Sequence, residues 1–168
     1  MVKFSNFHAT INFNKDDEAL IYAMREAVEA MVDEDHLFEW LRLYEDGQQK
    51  RFDDATMGDV KYVRLRAAFE HGGKHNRGLH VHILIEVEHD TMVQISKYGL
   101  CQIFRDYVHE NPNCHVRFVK GEGEDKDFIL HYITKEVPEY RPQSQLNARL
   151  KYAFGGTREE VEAETLVL

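Results

Sequence analysis

The sequence predicts an α+β fold: an antiparallel sheet of four to five strands with helices over one face and the other face left open. Three observations predict it. Residues 79–88 alternate, with Val81, Ile83, Ile85 and Val87 on one side and His80, His82, Leu84 and Glu86 on the other. Segments 7–14, 59–71 and 115–120 also read as strands. Amphipathic helical stretches at 91–110 and 125–137 are interleaved with them, so the order is β-α-(α)-β-β-α-β-α.

Each element has its own reason. In 7–14, Phe7, Ala9, Ile11 and Phe13 point inward and His8, Thr10, Asn12 and Asn14 outward. Asp16 is a suitable N-cap for a first helix, whose apolar stripe is Ala19, Leu20, Ala23, Ala27, Val28 and Met31. A second helix is expected over 35–44, ending at Asp46-Gly47, with a polar loop over 47–58. In 59–71, Val63, Leu65, Ala67 and Phe69 share one face, and Tyr62, Arg64, Arg66, Ala68 and Glu70 the other. Residues 72–78 form the turn of a hairpin. A helix over 91–110 stops near Asn111-Pro112-Asn113, and a short strand follows with Val116 and Phe118 inward. A helix over 125–137 comes last, in an architecture of ferredoxin-like or RNA-recognition-module-like character. Residues 1–140 are expected to form the domain, and 141–168 a C-terminal extension or linker with an acidic tail.

Composition bounds the function. With 168 residues the chain is long enough for a single sizeable core, and no apolar run approaches a membrane span. The first residues lack a signal-peptide apolar stretch, so an intracellular protein is expected, and no membrane partner. Cys101 and Cys114 lack metal or redox spacing and fit a reducing compartment as packing residues. A net charge of −9 argues against a general polyanion binder. Yet 15–46 carries eleven acidic and three basic side chains, and 157–168 four and one, so the rest of the chain is slightly positive. A local groove for nucleic acid remains open, with modest, salt-sensitive affinity.

Three groups of residues carry chemistry. His80 and His82 lie ~6.6 Å apart along one strand face, close enough to converge on one cation. If 72–78 is the hairpin loop, Glu70 lies opposite His80, because both are five residues from His75. Two neutral imidazoles and a carboxylate leave coordination positions open, which suits Mg²⁺ or Mn²⁺ acting on phosphate oxygens. Singly, the histidines read as a wet edge-strand pair and Glu70 as a surface salt bridge to Arg64 or Arg66. On the helix 125–137, Tyr132 and Lys135 are i, i+3 neighbours. A lysine beside an exposed phenol favours phenolate character and can hold a phosphate. The alternative is a snorkelling surface pair. The outward residues His8, Thr10 and Asn12 offer hydrogen bonds to base edges or sugar–phosphate groups, and equally fit a solvent-facing strand. Arg64 and Arg66 on the outward face of 59–71, with Lys74 and Arg77 in the turn, complete the candidate DNA contacts; the turn residues equally read as solvated.

Taken together these residues resemble the HUH-superfamily replication-initiator (Rep) endonuclease domains, most closely those of circular single-stranded DNA viruses. His80-Val81-His82 is similar to the histidine–hydrophobic–histidine motif, and Tyr132-Ile133-Thr134-Lys135 to the Tyr-x-x-Lys motif. Glu70 stands where the family has its third metal ligand. Phe7-His8-Ala9-Thr10-Ile11-Asn12-Phe13 is only loosely similar to the first motif. The resemblance spans about residues 4–137 and follows the Rep order, histidines before tyrosine. It implies an HUH fold and a Mn²⁺ or Mg²⁺ cofactor held by Glu70, His80 and His82. It implies Tyr132 as nucleophile and Lys135 as its phosphate-orienting partner. The implied activity is nicking and joining of single-stranded DNA at a replication-origin stem-loop, through a 5′-phosphotyrosine link. A helicase domain or protein is an implied companion; no Walker A sequence occurs in this chain. The implied setting is a host nucleus for a eukaryotic virus, or cytoplasm for a plasmid.

Two rivals remain. His8-Ala9-Thr10 and His80-Val81-His82 loosely resemble the paired His-x-Thr/Ser strands of 2H phosphoesterases, which use no metal, although the second strand lacks its hydroxyl residue. A non-catalytic nucleic-acid-binding module is the other, against which stands the lack of outward stacking aromatics.

Overall fold

The computed structural model describes residues 3–13, 19–32, 36–49, 60–70, 80–119 and 166–167. It is α+β. Its larger sheet has five antiparallel strands in the order β7-β1-β5-β4-β8. These are β1 (Lys3–Asn12), β4 (Val60–Glu70), β5 (His80–His89), β7 (Asn113–Val119) and β8 (Leu166–Val167). A second sheet, ordered β3-β2-β6, joins β2 (Leu41–Glu45), β3 (Gln48–Gln49) and β6 (Met92–Ile95). The helices are α1 (Ala19–Met31), α2 (Leu37–Trp40) and α3 (Lys97–Val108). Among the described residues no helix is long and apolar enough to cross a membrane.

Alternation determines which strand face meets the helices. Phe7, Ala9 and Ile11 of β1, Val63, Leu65 and Ala67 of β4, and Val81, Ile83, Ile85 and Val87 of β5 are all buried. They share one core with Ile21, Met24, Val28 and Met31 of α1 and Leu100, Ile103 and Phe104 of α3. The centre of the α1 stripe is therefore Ile21–Met24–Val28–Met31. Ala19 is exposed, and Leu20 and Ala23 flank the core instead of leading into it. Ala27, Val28 and Met31 of the expected stripe are buried in the core, and Ile21, Met24 and Ala30 join them from positions it left out. The proposed Asp16 cap lies outside the described residues.

Two expected helices become mixed elements. The one expected over 35–44 is a single turn that ends at Trp40, where Leu41–Glu45 continues as a strand. Leu41 and Leu43 are buried there and Arg42 is not, so the period is two. Asp46-Gly47 does not cap a helix. Asp46 (φ 53°) and Gly47 (φ 78°) form the tight turn of the β2–β3 hairpin, the left-handed pair that Asp-Gly favours. Likewise the stretch expected as helix from Thr91 begins with β6, which pairs with β2. Ser96 then caps α3, its Oγ accepting from the Gly99 N–H at 3.0 Å. The helix ends as the sequence predicts, with His109 in the left-handed region (φ 62°) just before Asn111-Pro112.

Two polar side chains tie the elements together. Trp40 is fully buried and its Nε1–H donates to Met31 O at 2.8 Å, which joins α2 to the end of α1. At the far end of β5, His89 Nδ1–H donates to Thr91 O and its Nε2 accepts from the Ser5 hydroxyl at 2.8 Å. Cys101 and Cys114 are free thiols, as packing residues would be. Burial, then contact with Cys101, pushes the Cys114 thiol well above its usual range.

Three further expectations change. The first strand starts at Lys3 and ends at Asn12, not at 7 and 14. Phe118 shares the inward face with Phe7, which it opposes and meets edge-on, but at the sheet margin it stays 57% exposed. Leu166–Val167, expected in a tail, pairs with Tyr62 and Val63 as the edge strand β8. The helix expected over 125–137 lies outside the described residues.

Candidate functional site

The sheet register determines what can meet on the face away from the helices. Directly opposed residues share a face, with Cβ atoms ~5 Å apart. Across β7, β1, β5 and β4 one row reads His115, Thr10, His82, Ala68. The next reads Asn113, Asn12, His80, Glu70. On the other side lies Arg117, His8, Leu84, Arg66. Glu70 therefore stands opposite His80, the register that counting outward from His75 predicts.

At the centre is a cluster of imidazoles. His8 Nε2 is 3.0 Å from His82 Nδ1, and Thr10 Oγ1 is 3.3 Å from the same nitrogen. The His8 and His82 rings have centroids 5.2 Å apart, tilted by 30°. His80 meets His82 edge-on, 4.9 Å between centroids. All three are buried: His8 8%, His80 7% and His82 5% exposed. Burial, then the charges of His82 and Arg117, lowers the His8 pKa from 6.5 to about 4.

This overturns one expectation: the second face of β5 is not open. Leu84 and Glu86 are buried there along with His80 and His82. As the middle strand of the sheet, β5 has β1 and β4 on either flank. His8, expected outward toward DNA, instead packs on His82. Thr10 and Asn12 keep partial exposure.

Glu70, Arg64 and Arg66 are placed by register only, opposite His80, Glu86 and Leu84; their side chains lie outside the described ones. Tyr132, Lys135, Lys74 and Arg77 lie outside the described residues altogether. Among the described residues no group of three or more His, Cys, Asp or Glu side chains is placed to hold a metal ion. The donor set nevertheless fits a divalent cation chemically: two adjoining imidazoles and, one strand over, a carboxylate-bearing residue.

Sequence reasoning missed His115 and Arg117, which lie exposed on β7 opposite Thr10 and His8. Their signal was the period-two alternation of 113–119, which places them on the face opposite Cys114 and Val116. Neither a protein-family model, nor a curated protein, nor a solved structure matches the chain.

Proposed function

We propose that the chain is a metal-dependent endonuclease of the HUH replication-initiator type. It would nick and rejoin single-stranded DNA at an origin stem-loop. The observation that carries this reading is the register bringing Glu70, His80, His82 and Thr10 to one face of three adjacent strands. The succession β1, α1, β4, β5, α3, β7 supports a ferredoxin-like description of the domain.

In this reading Glu70, His80 and His82 hold Mn²⁺ or Mg²⁺. Such a cation, when bound, polarises the scissile phosphate and offsets charge on it. Tyr132 and Lys135 enter from the sequence motif. The Tyr132 oxygen forms a bond to phosphorus as the P–O3′ bond breaks, and the phenolic proton is balanced on the released 3′-OH. Lys135 orients the phosphate and favours the phenolate. The resulting 5′-phosphotyrosine ester retains the bond energy that a later 3′-OH uses to rejoin the strand. Exposed His115 and Arg117, opposite Thr10 and His8 on β7, are suited to the DNA backbone.

The test is incubation with stem-loop and random single-stranded oligonucleotides plus Mn²⁺, followed by denaturing electrophoresis. A shifted protein–DNA band is expected with the stem-loop. It should vanish in Tyr132→Phe with binding retained, and His82→Ala should lose cleavage while keeping its fold. An adduct that persists in Tyr132→Phe removes the nucleophile from this reading.

One observation favours a second reading. His8 and His80, which begin the two His-x-Thr/Ser-like segments, both approach His82 on one face of the adjacent strands β1 and β5, where a metal-free 2H phosphoesterase would use them as acid and base. EDTA separates the two: it abolishes the first activity and spares the second.

A further inference from the structure

We infer that His8 and Thr10 are positioning residues that fix the tautomer and ring orientation of His82 for cation binding. This inference rests on the cation site proposed above. Two groups on β1 converge on a single ring nitrogen of a β5 histidine: His8 Nε2 at 3.0 Å and Thr10 Oγ1 at 3.3 Å from His82 Nδ1. The strand register makes this convergence firm, because Thr10 is directly opposite His82 and His8 is two residues along.

The chemistry gives the contact a direction. A metal-binding imidazole coordinates through one nitrogen and donates a hydrogen bond from the other; that outer partner orients the ring and raises its basicity. If His82 Nδ1–H donates to His8 Nε2, with Thr10 Oγ1 as a second acceptor, the coordinating lone pair resides on His82 Nε2. His8 suits the acceptor role because burial favours a neutral ring. His8 thus acts through His82 and touches neither DNA nor the cation. Its position in the loosely matching first-strand segment then has a physical explanation: the residue serves the metal ligand next door.

The test is Mn²⁺ titration of the full chain, free Mn²⁺ being read by electron paramagnetic resonance, with the His82 tautomer read by ¹⁵N NMR on the metal-free protein. His8→Ala is expected to weaken Mn²⁺ binding by roughly 10–100-fold. His8→Gln, which restores an acceptor oxygen, should recover part of it. Thr10→Val should cost less than His8→Ala and keeps the test alive if His8→Ala fails to fold. In the wild type, His82 should carry its proton on Nδ1. A proton on Nε2, or unchanged Mn²⁺ affinity in both His8→Ala and Thr10→Val, overturns the inference. A loss in His8→Ala as complete as in His82→Ala also overturns it, since that marks His8 as a direct ligand. If His82→Ala itself leaves Mn²⁺ affinity unchanged, the cation site fails first, and the result is distinct from failure of the positioning role.

Discussion

His8 shows how much a single side chain gains from its neighbours. A histidine on an exposed strand face would titrate near 6.5. Buried against His82 and facing Arg117, its pKa is lowered to about 4. The sign of the linkage follows. Between these two values the unfolded chain binds a proton that the folded chain refuses, so His8 supports the fold above pH 6.5 and loses that support as pH falls toward 4. The shift corresponds to on the order of 3 kcal/mol. Urea denaturation in metal-free buffer at pH 6.5 and pH 4.5 should therefore show a steeper loss of stability for wild type than for His8→Gln. Equal losses would mean that His8 takes up its proton in the folded state as readily as in the unfolded one. The position of His8 was legible in the alternation of 7–14, but its contact was not, because a sequence gives the face a side chain leaves from and not who waits there.

At the scale of elements, α3 is held by its ends and by one close approach. Ser96 caps it and His109 closes it, while Gly99 lies against the backbone of α2. A Cβ at Gly99 would collide with the Glu39 carbonyl oxygen and come within 2.8 Å of its carbon. The neighbour is backbone, tied in place as Trp40 O accepts from the Ser96 N–H at 2.6 Å, so it cannot swing aside. Gly99→Ala should thus destabilise by about 2 kcal/mol, despite the higher helix propensity of alanine. A urea midpoint equal to wild type would show that α2 and α3 separate at little cost. The short elements were the least legible part of the chain. Over four or five residues, as in Leu41–Glu45 and Met92–Ile95, helical and strand periods fit nearly the same apolar positions. Their pairing with each other decides between them.

Over the whole molecule, charge limits how this protein could hold DNA. The net charge is −9, with the acids concentrated in 15–46 and 157–168. Exposed Arg117 lies on β7, an edge of the five-stranded sheet. Binding to a single strand should then involve few phosphates. With two or three contacts, log K against log salt should have a slope of about −2, and Arg117→Ala should flatten it by about 0.7. Fluorescence anisotropy of a labelled oligonucleotide across a salt series measures both. A slope steeper than about −4, or one untouched by Arg117→Ala, would place the interface elsewhere.

The sequence by itself determined the α+β class, the long strands, the inward faces of β1, β4 and β5, and the placing of Glu70 opposite His80. All of these follow from a period of two and a countable turn, which are local properties. Only the tertiary structure decided that a second, three-stranded sheet forms, that both faces of β5 are buried, and that His8 and Thr10 meet one nitrogen of His82. Those depend on which strands become neighbours and what crowds beside them. Residues more than seventy positions apart in the chain acquire that relationship only once the sheet has assembled.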